Sequence, residues 1–388
     1  MAEDDAISII VATVIFLYLS VVTYNLFIHP LKEFPGPRTL AASRIPVAYA
    51  SLKGIQTHWL HSLHLRYGPV VRVAPNELSF IDERAWKDIY SSSPTVPQTL
   101  SRQQPILAKY GDALVETLSG MEGHITNIRD MFHYTLFEIV GHFQYGEEMG
   151  VLRTGARKSW LRKAYFKPSN DLIDHRLQIQ SDEPDLIGLT FRNSRSSALT
   201  EKDIRANAHI MMLGGAETTL GLMTFLTACL LQHPECFARL KKEIRTNYHD
   251  KKEVSLESVS KLAYLDACIK EALRTYPPIP GAIHRVSPAG GASIAGHWVA
   301  GNTRGAEGPY QKDIKAACHP FSTGPRSCIG QDMAYGMTKV VFCKFATEFN
   351  CELASDDTGS WLTGLRSWGT WEVPPLMVRV SRVEKASI

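Results

Sequence analysis

The segment Phe321-Ser-Thr-Gly-Pro-Arg-Ser-Cys328-Ile-Gly330 sets one cysteine in a glycine-bounded loop just ahead of an apolar run. Gly324 and Gly330 allow tight backbone turns that a side chain would block, leaving room for a large planar cofactor to approach the sulfur. A helix is expected from about Gln331 to Phe349, and its positive N-terminal end favours thiolate over thiol at Cys328. Arg326 adds a cation two residues away, suited to an anionic group on the cofactor. The pattern is that of a ligand loop. The competing reading is a buried free cysteine before a helix, which is common for cysteine in general.

Further chemistry-bearing residues lie upstream. Leu213-Gly-Gly-Ala-Glu-Thr-Thr219 falls in the middle of a long apolar helical stretch. Two adjacent glycines weaken a helix by about 1 kcal/mol each relative to alanine, so they need a reason. Either a flat ligand lies against the backbone at Gly214 and Gly215, or two helices pack closely there. The Thr218 hydroxyl can bond back to a carbonyl one turn earlier, and Glu217 beside it is an acid that water could reach. Glu271 and Arg274 form an i,i+3 pair on one helix face, an arrangement usually of small value at a surface. Arg285 sits just after a proline-rich stretch, Pro277 to Pro280, with His284 reading as an ordinary polar neighbour.

The elements that must position these groups are mostly helical. Asp82 is a candidate N-cap for a helix through Ile89, preceded by two short strands, Val70–Val73 and Leu78–Ile81, around a Pro75-Asn76 turn. Two helices are expected within 105–150, with no chemistry of their own. Thr200-Glu-Lys-Asp203 resembles a capping box and starts the long helix, which His233-Pro234 ends. Another helix runs from Leu262 to Tyr276, where Pro277-Pro278 stops it, and the region from Trp361 to Val380 suggests loop and strand.

At the N-terminus, Ala6 to Ile28 is free of charged side chains and long enough for one membrane span of about 20 residues. Acidic Glu3, Asp4 and Asp5 precede it, while Lys32, Arg38 and Arg44 follow, which places the body of the protein on the cytoplasmic side. Phe34-Pro-Gly-Pro37 then turns the chain sharply. The 388 residues carry 42 Lys and Arg against 39 Asp and Glu, a balance that gives no reason to expect nucleic acid. Seven cysteines, odd in number and without a C-x-x-C pair, fit a reducing compartment.

The segment around Cys328 fills every fixed position of F-x-x-G-x-R-x-C-x-G and resembles the haem-binding loop of the cytochrome P450 family. That resemblance implies a mainly α-helical fold with a small β-region and haem b (iron protoporphyrin IX) as cofactor, with Cys328 as the axial iron ligand. The division it implies is an anchor at 1–30 and a haem-thiolate monooxygenase domain at 31–388. It further implies that Arg285 and Arg326 hold haem propionates, that Phe321 shields the thiolate, and that Gly215, Gly324 and Gly330 make room for the cofactor. Thr218 and Glu217 would relay protons during oxygen activation, and Glu271 with Arg274 would be a buried structural pair beneath the haem.

The implied reaction inserts one oxygen atom from O2 into a bulky apolar substrate, in the manner of fungal secondary metabolism. Electrons would come from NADPH through NADPH–cytochrome P450 reductase at the endoplasmic reticulum membrane. The chain is shorter than is usual for the family, with apparent gaps near Pro94–Ser101, Trp160–Asn170 and Thr303–Pro320. The alternative is therefore a non-catalytic membrane-bound remnant, and a peroxide-driven activity is a third possibility. Substrate, product and regiochemistry are not legible in the sequence.

Overall fold

Prolines, glycines and polar caps set the limits of most elements. The structure is a computed structural model that describes residues 2–90, 103–154, 166–178, 185, 187, 200–281, 284–307, 318–354, 362 and 364–384. The described residues are mainly helical, with small β-sheets of two to four strands. The chain divides into two compact units. One comprises Met1–Thr95, Ile279–Cys328 and Arg366–Glu372; the other comprises Val96–Pro278, Ile329–Leu365 and Val373–Ile388.

The first unit begins with an apolar helix, Ala2–Phe27, long and apolar enough to cross a membrane. It presents Ile9, Phe16, Leu19 and Phe27 to the outside. Its hydroxyls at Thr13, Ser20 and Thr23 each donate to a carbonyl four residues back at 2.8 Å, so none is left unsatisfied in an apolar surrounding. The far end of this helix is fastened to the unit. Asn25 Nδ2 donates to the Ala42 carbonyl at 3.1 Å, and the buried Arg72 guanidinium donates to the Asn25 carbonyl at 3.0 Å. Leu31 is fully buried in a cluster with Val70, Leu78 and Phe80, with Phe34 packed against it.

A four-stranded sheet follows in the order Val70–Ala74, Glu77–Phe80, Arg304–Glu307, Arg285–Val286. The outer pairs are antiparallel and the middle pair is parallel. The first two strands match the sequence expectation. Asp82 accepts the Arg84 backbone N–H at 3.0 Å and caps the helix Glu83–Tyr90, also as expected.

The second unit is a helical bundle with an antiparallel sheet of Ile125–Asn127, Met377–Arg382 and Phe349–Leu353. The long helix Glu201–Gln232 opens with the predicted capping box, in which Thr200 and Asp203 satisfy each other's backbone N–H groups. Pro234 occupies the first turn of the next helix, Pro234–Asn247. The helix Ala263–Thr275 stops before Pro277, and the helix Gln331–Glu348 begins where the sequence indicated. Leu220, Met223, Phe225 and Leu226 of the long helix are buried, as are Phe132 and Leu136 of the helix Ile128–Tyr145.

Candidate active site

The candidate residues fall in both units. In the first, Cys328 lies two residues after the 3-10 turn Gly324–Arg326, just before a turn at 329–330. Its backbone N–H donates to the Phe321 carbonyl at 2.8 Å, which closes the loop on itself. Two residues with positive φ make that closure feasible, Gly324 at +74° and Ser322 at +60°. A side chain is tolerated poorly in this region, so Gly324 is required by backbone geometry.

Cys328 is the only exposed cysteine of the seven. The contrast with the others is chemical as well as spatial. Burial pushes the Cys229 and Cys268 thiols up to about 11 and the Cys351 thiol up to about 12, and it moves Cys343 upward as well. Those four stay protonated at neutral pH. Arg326, two residues before Cys328, is exposed, and Phe321 and Gly330 are half-buried.

Arg285 stands on the strand Arg285–Val286, with its guanidinium 4.9 Å from the centre of the Tyr90 ring. Tyr90 in turn lies against Trp86, with ring centres 4.7 Å apart, and Trp86 meets His319 at 4.7 Å. No spacing or motif in the sequence points to this aromatic group. His284 bonds to the buried Glu77 carboxylate at 2.6 Å, consistent with its reading as an ordinary polar residue.

In the second unit, the long helix runs unbroken through Gly214 and Gly215. Thr218 Oγ1 donates to the Gly214 carbonyl, the expected bond to the preceding turn, at 2.5 Å. The two glycines differ. A Cβ on Gly215 would meet both methyls of Val140 at 3.1 Å, whereas one on Gly214 would meet nothing within 4 Å. The space at Gly215 is therefore taken by the neighbouring helix Ile128–Tyr145, and the open backbone is at Gly214.

Glu217 is half-buried, and its Oε1 lies 3.1 Å from His133 Nε2 on that same neighbouring helix. The helix Ile128–Tyr145, expected to carry no chemistry of its own, thus brings a histidine beside the acid. A lone histidine gives no sequence signal for such a role, because its partner lies on a separate helix.

Glu271 and Arg274 do pair, with Arg274 Nε donating to Oε2 at 2.8 Å and Nη2 to Oε1 at 2.6 Å. The buried setting implied for them is not found: their side chains are 62% and 38% exposed. An ion pair in that position is solvated and of small energetic value. Of the three apparent gaps, 94–101 lies outside the described residues, as do 160–165 and 308–317. Gly305 to Glu307 are described and lie on the sheet strand Arg304–Glu307. Trp361 also lies outside the described residues.

The residues present fit a haem. An exposed thiol on a self-closed loop, two arginines and an aromatic group occur within one unit, and the four thiols with raised affinity for protons, two half-buried and two buried, belong to the other.

Comparison with known proteins agrees with this chemistry. The family model described as Cytochrome P450 matches residues 156–304 and 296–362. The chain is 29% identical to the cytochrome P450 monooxygenase FUM2 of Gibberella moniliformis, covering 93% of this chain and 100% of that protein. It is 29% identical to the averantin hydroxylase of Dothistroma septosporum, covering 93% and 89% respectively. It is also 29% identical to the cytochrome P450 monooxygenase aneG of Aspergillus aculeatus, covering 97% and 92%. The alignment with FUM2 spans 470 positions, whereas 93% of a 388-residue chain is about 361 residues. The remaining hundred or so positions occur in the relative and have no counterpart here.

Proposed function

The chain belongs to the cytochrome P450 family, and from that premise we propose a membrane-anchored monooxygenase that uses haem b, with residues 1–30 as anchor and 31–388 as the catalytic body. The observation that carries this reading is the exposed Cys328 on its self-closed loop. Cys328 holds the iron as thiolate, and Arg326 and Arg285 hold the carboxylates of the porphyrin. Phe321 keeps water from the sulfur, while Gly324 and Gly330 let the backbone stay close to the ring. Haem bound in this way supplies the activation of O2 for transfer of one oxygen atom to substrate, the other leaving as water.

The proton work falls to the long helix. Glu217, reachable by water, takes up and passes on a proton at its carboxylate, and Thr218 Oγ1 offers the hydroxyl through which it moves. Gly214 leaves open backbone beside them. Gly215 serves helix packing instead of the ligand. The substrate is a bulky apolar molecule of fungal secondary metabolism; the relatives are fungal and include an averantin hydroxylase. Electrons come from NADPH through a membrane-bound reductase, and the catalytic body faces the cytoplasm at the endoplasmic reticulum.

A second reading has support of its own. The exposed Glu271–Arg274 pair and the hundred or so missing positions favour a membrane-bound remnant without turnover. The carbon monoxide difference spectrum of the reduced full-length protein separates the two. A strongly red-shifted Soret band is the expected result, and it establishes thiolate ligation by Cys328. An unshifted band or no haem signal overturns the monooxygenase reading.

A further inference from the structure

We propose that Cys236 and Cys268 are a redox modification site, joined by a reversible disulfide when the protein meets hydrogen peroxide. The site is independent of the haem reading above. Cys236 lies on the helix Pro234–Asn247 and Cys268 on the helix Ala263–Thr275, both in the second unit. The two helices pack against each other, and both thiols are half-buried, so each keeps some access to solvent.

Side-chain contacts fix how the two helix faces meet. The Glu243 carboxylate accepts the backbone N–H of Tyr264 at 2.8 Å and that of Leu265 at 2.9 Å, which ties the first helix to the start of the second. The Arg239 guanidinium lies 4.1 Å from the centre of the Tyr264 ring. Cys236, Arg239 and Glu243 follow at i, i+3 and i+7, so they share one face of their helix. Tyr264 and Cys268 are four residues apart and share a face of theirs. The geometry therefore brings Cys236 to the side of Tyr264 on which Cys268 stands. The Tyr264 hydroxyl is hydrogen-bonded to the Cys236 thiol, and the same hydroxyl bonds to Cys268. One phenol thus stands between two sulfurs from different helices.

The chemistry balances with peroxide as the oxidant. Cys236, as thiolate, attacks one peroxide oxygen; an S–O bond forms, the O–O bond breaks, and hydroxide leaves to become water. Cys236 is then a neutral sulfenic acid. The Cys268 sulfur gives up its proton and attacks the Cys236 sulfur, forming the S–S bond and expelling hydroxide, which takes up that proton. Two thiols and one peroxide yield one disulfide and two waters. Burial pushes the Cys268 thiol up to about 11, and charge on Cys236 and Glu243 adds to the rise, while the bond from Tyr264 opposes it. Converting Cys236 to a neutral group removes one of those repulsions, so the first step eases the second.

Peptide mapping tests the pairing on the parent protein. Full-length protein is reduced, freed of reductant and exposed briefly to hydrogen peroxide. Remaining thiols are blocked with N-ethylmaleimide, and the digest is read by mass spectrometry without reduction. Cys236 and Cys268 should be linked in most molecules, and dithiothreitol should restore both thiols. A Cys236 that stays free, or that pairs with other cysteines as often as with Cys268, overturns the proposal. In urea-unfolded protein the preference should disappear; an equal yield of the same link there overturns the proposal too, because the pairing would then owe nothing to the fold.

A variant tests the order of events. In Cys268→Ser, dimedone present during oxidation should trap Cys236 as its sulfenic acid adduct. Absence of the adduct in a variant that unfolds in urea like the parent overturns the peroxide step and the proposal with it.

Discussion

His133 Nε2 lies 3.1 Å from Glu217 Oε1, joining the helix Ile128–Tyr145 to the acid proposed to handle protons on the long helix. His133 is itself held by Tyr134, stacked at 6.3 Å, and by Phe137, edge-on at 6.3 Å. A carboxylate with one fixed partner has fewer orientations open to it, which matters if its task is to deliver a proton along one direction.

This relationship gives a first prediction. His133→Phe keeps the ring packing and removes the partner of Glu217. Product formed per NADPH should fall about tenfold, with more hydrogen peroxide released, while haem content stays unchanged; a positioned proton donor contributes about 10²–10⁴-fold in full. Glu217→Gln should have a similar or larger effect. The double variant should be no worse than Glu217→Gln alone, because both changes break the same link. Additive losses would show that His133 acts elsewhere.

The two glycines of the long helix should respond in opposite ways. Gly214→Ala places a methyl in open space and gains helix propensity, so the haem-free protein should become more stable by up to about 1 kcal/mol. In Gly215→Ala the new methyl presses on Val140, and that gain should be cancelled or reversed by overpacking, which costs about 1–3 kcal/mol. Adding Val140→Ala should relieve the clash. Urea unfolding of the single and double variants reads the differences directly.

Thiol labelling offers a test that needs no haem. At pH 8.5 a thiol with a pKa near 11 is less than about 1% thiolate, and only thiolate reacts. Iodoacetamide should therefore modify Cys328 well ahead of Cys229, Cys268, Cys343 and Cys351. Peptide mass spectrometry after short exposure reads the order. Early modification of those four would contradict the raised proton affinity described for them.

Acid should weaken the first unit through His64. Burial holds its imidazole below the ordinary value of 6.5, outweighing the opposing effect of the bond between Nδ1 and the Gly68 carbonyl. The folded protein keeps the ring neutral where the unfolded chain would protonate it. Its contribution is thus complete above about pH 6.5 and is lost as pH falls toward the folded pKa. Burial lowers the affinity of His29, His209 and His284 for protons in the same direction. The urea midpoint should decline between pH 7.5 and 5.5, and His64→Gln should flatten part of that decline.

Legibility in the sequence followed the range of the forces involved. The ends of the long helix were plain, because a capping box at Thr200–Asp203 and a proline at 234 act within a few residues. The same holds for the cap at Asp82 and for the bond from Thr218 back to Gly214. Contacts made across the fold were not legible. Arg72 in Val70–Ala74 looks like the polar member of an alternating strand, yet it is 2% exposed because three carbonyl contacts from distant and nearby turns absorb its donors. The exposure of Glu271 and Arg274 could not be read from their spacing, since spacing fixes their pairing and the rest of the fold fixes their surroundings. His133 and Trp86 gave no signal for the same reason: each acquires meaning from a neighbour on another segment.

The bond between Arg72 and the Asn25 carbonyl turns the proposed anchor helix from a leash into a keel. A flexible leash would let the first unit roll freely on the bilayer, but here the last turn of the helix, Leu31 and the strand at Arg72 are one solid joint. In a bilayer, the tilt of such an anchor would dictate which face of the unit meets the membrane. It also dictates where a soluble version can be cut. Removing residues 1–24 spares the joint, while a cut at 30 takes the carbonyl from beneath a buried guanidinium and unseats the unit it was meant to free.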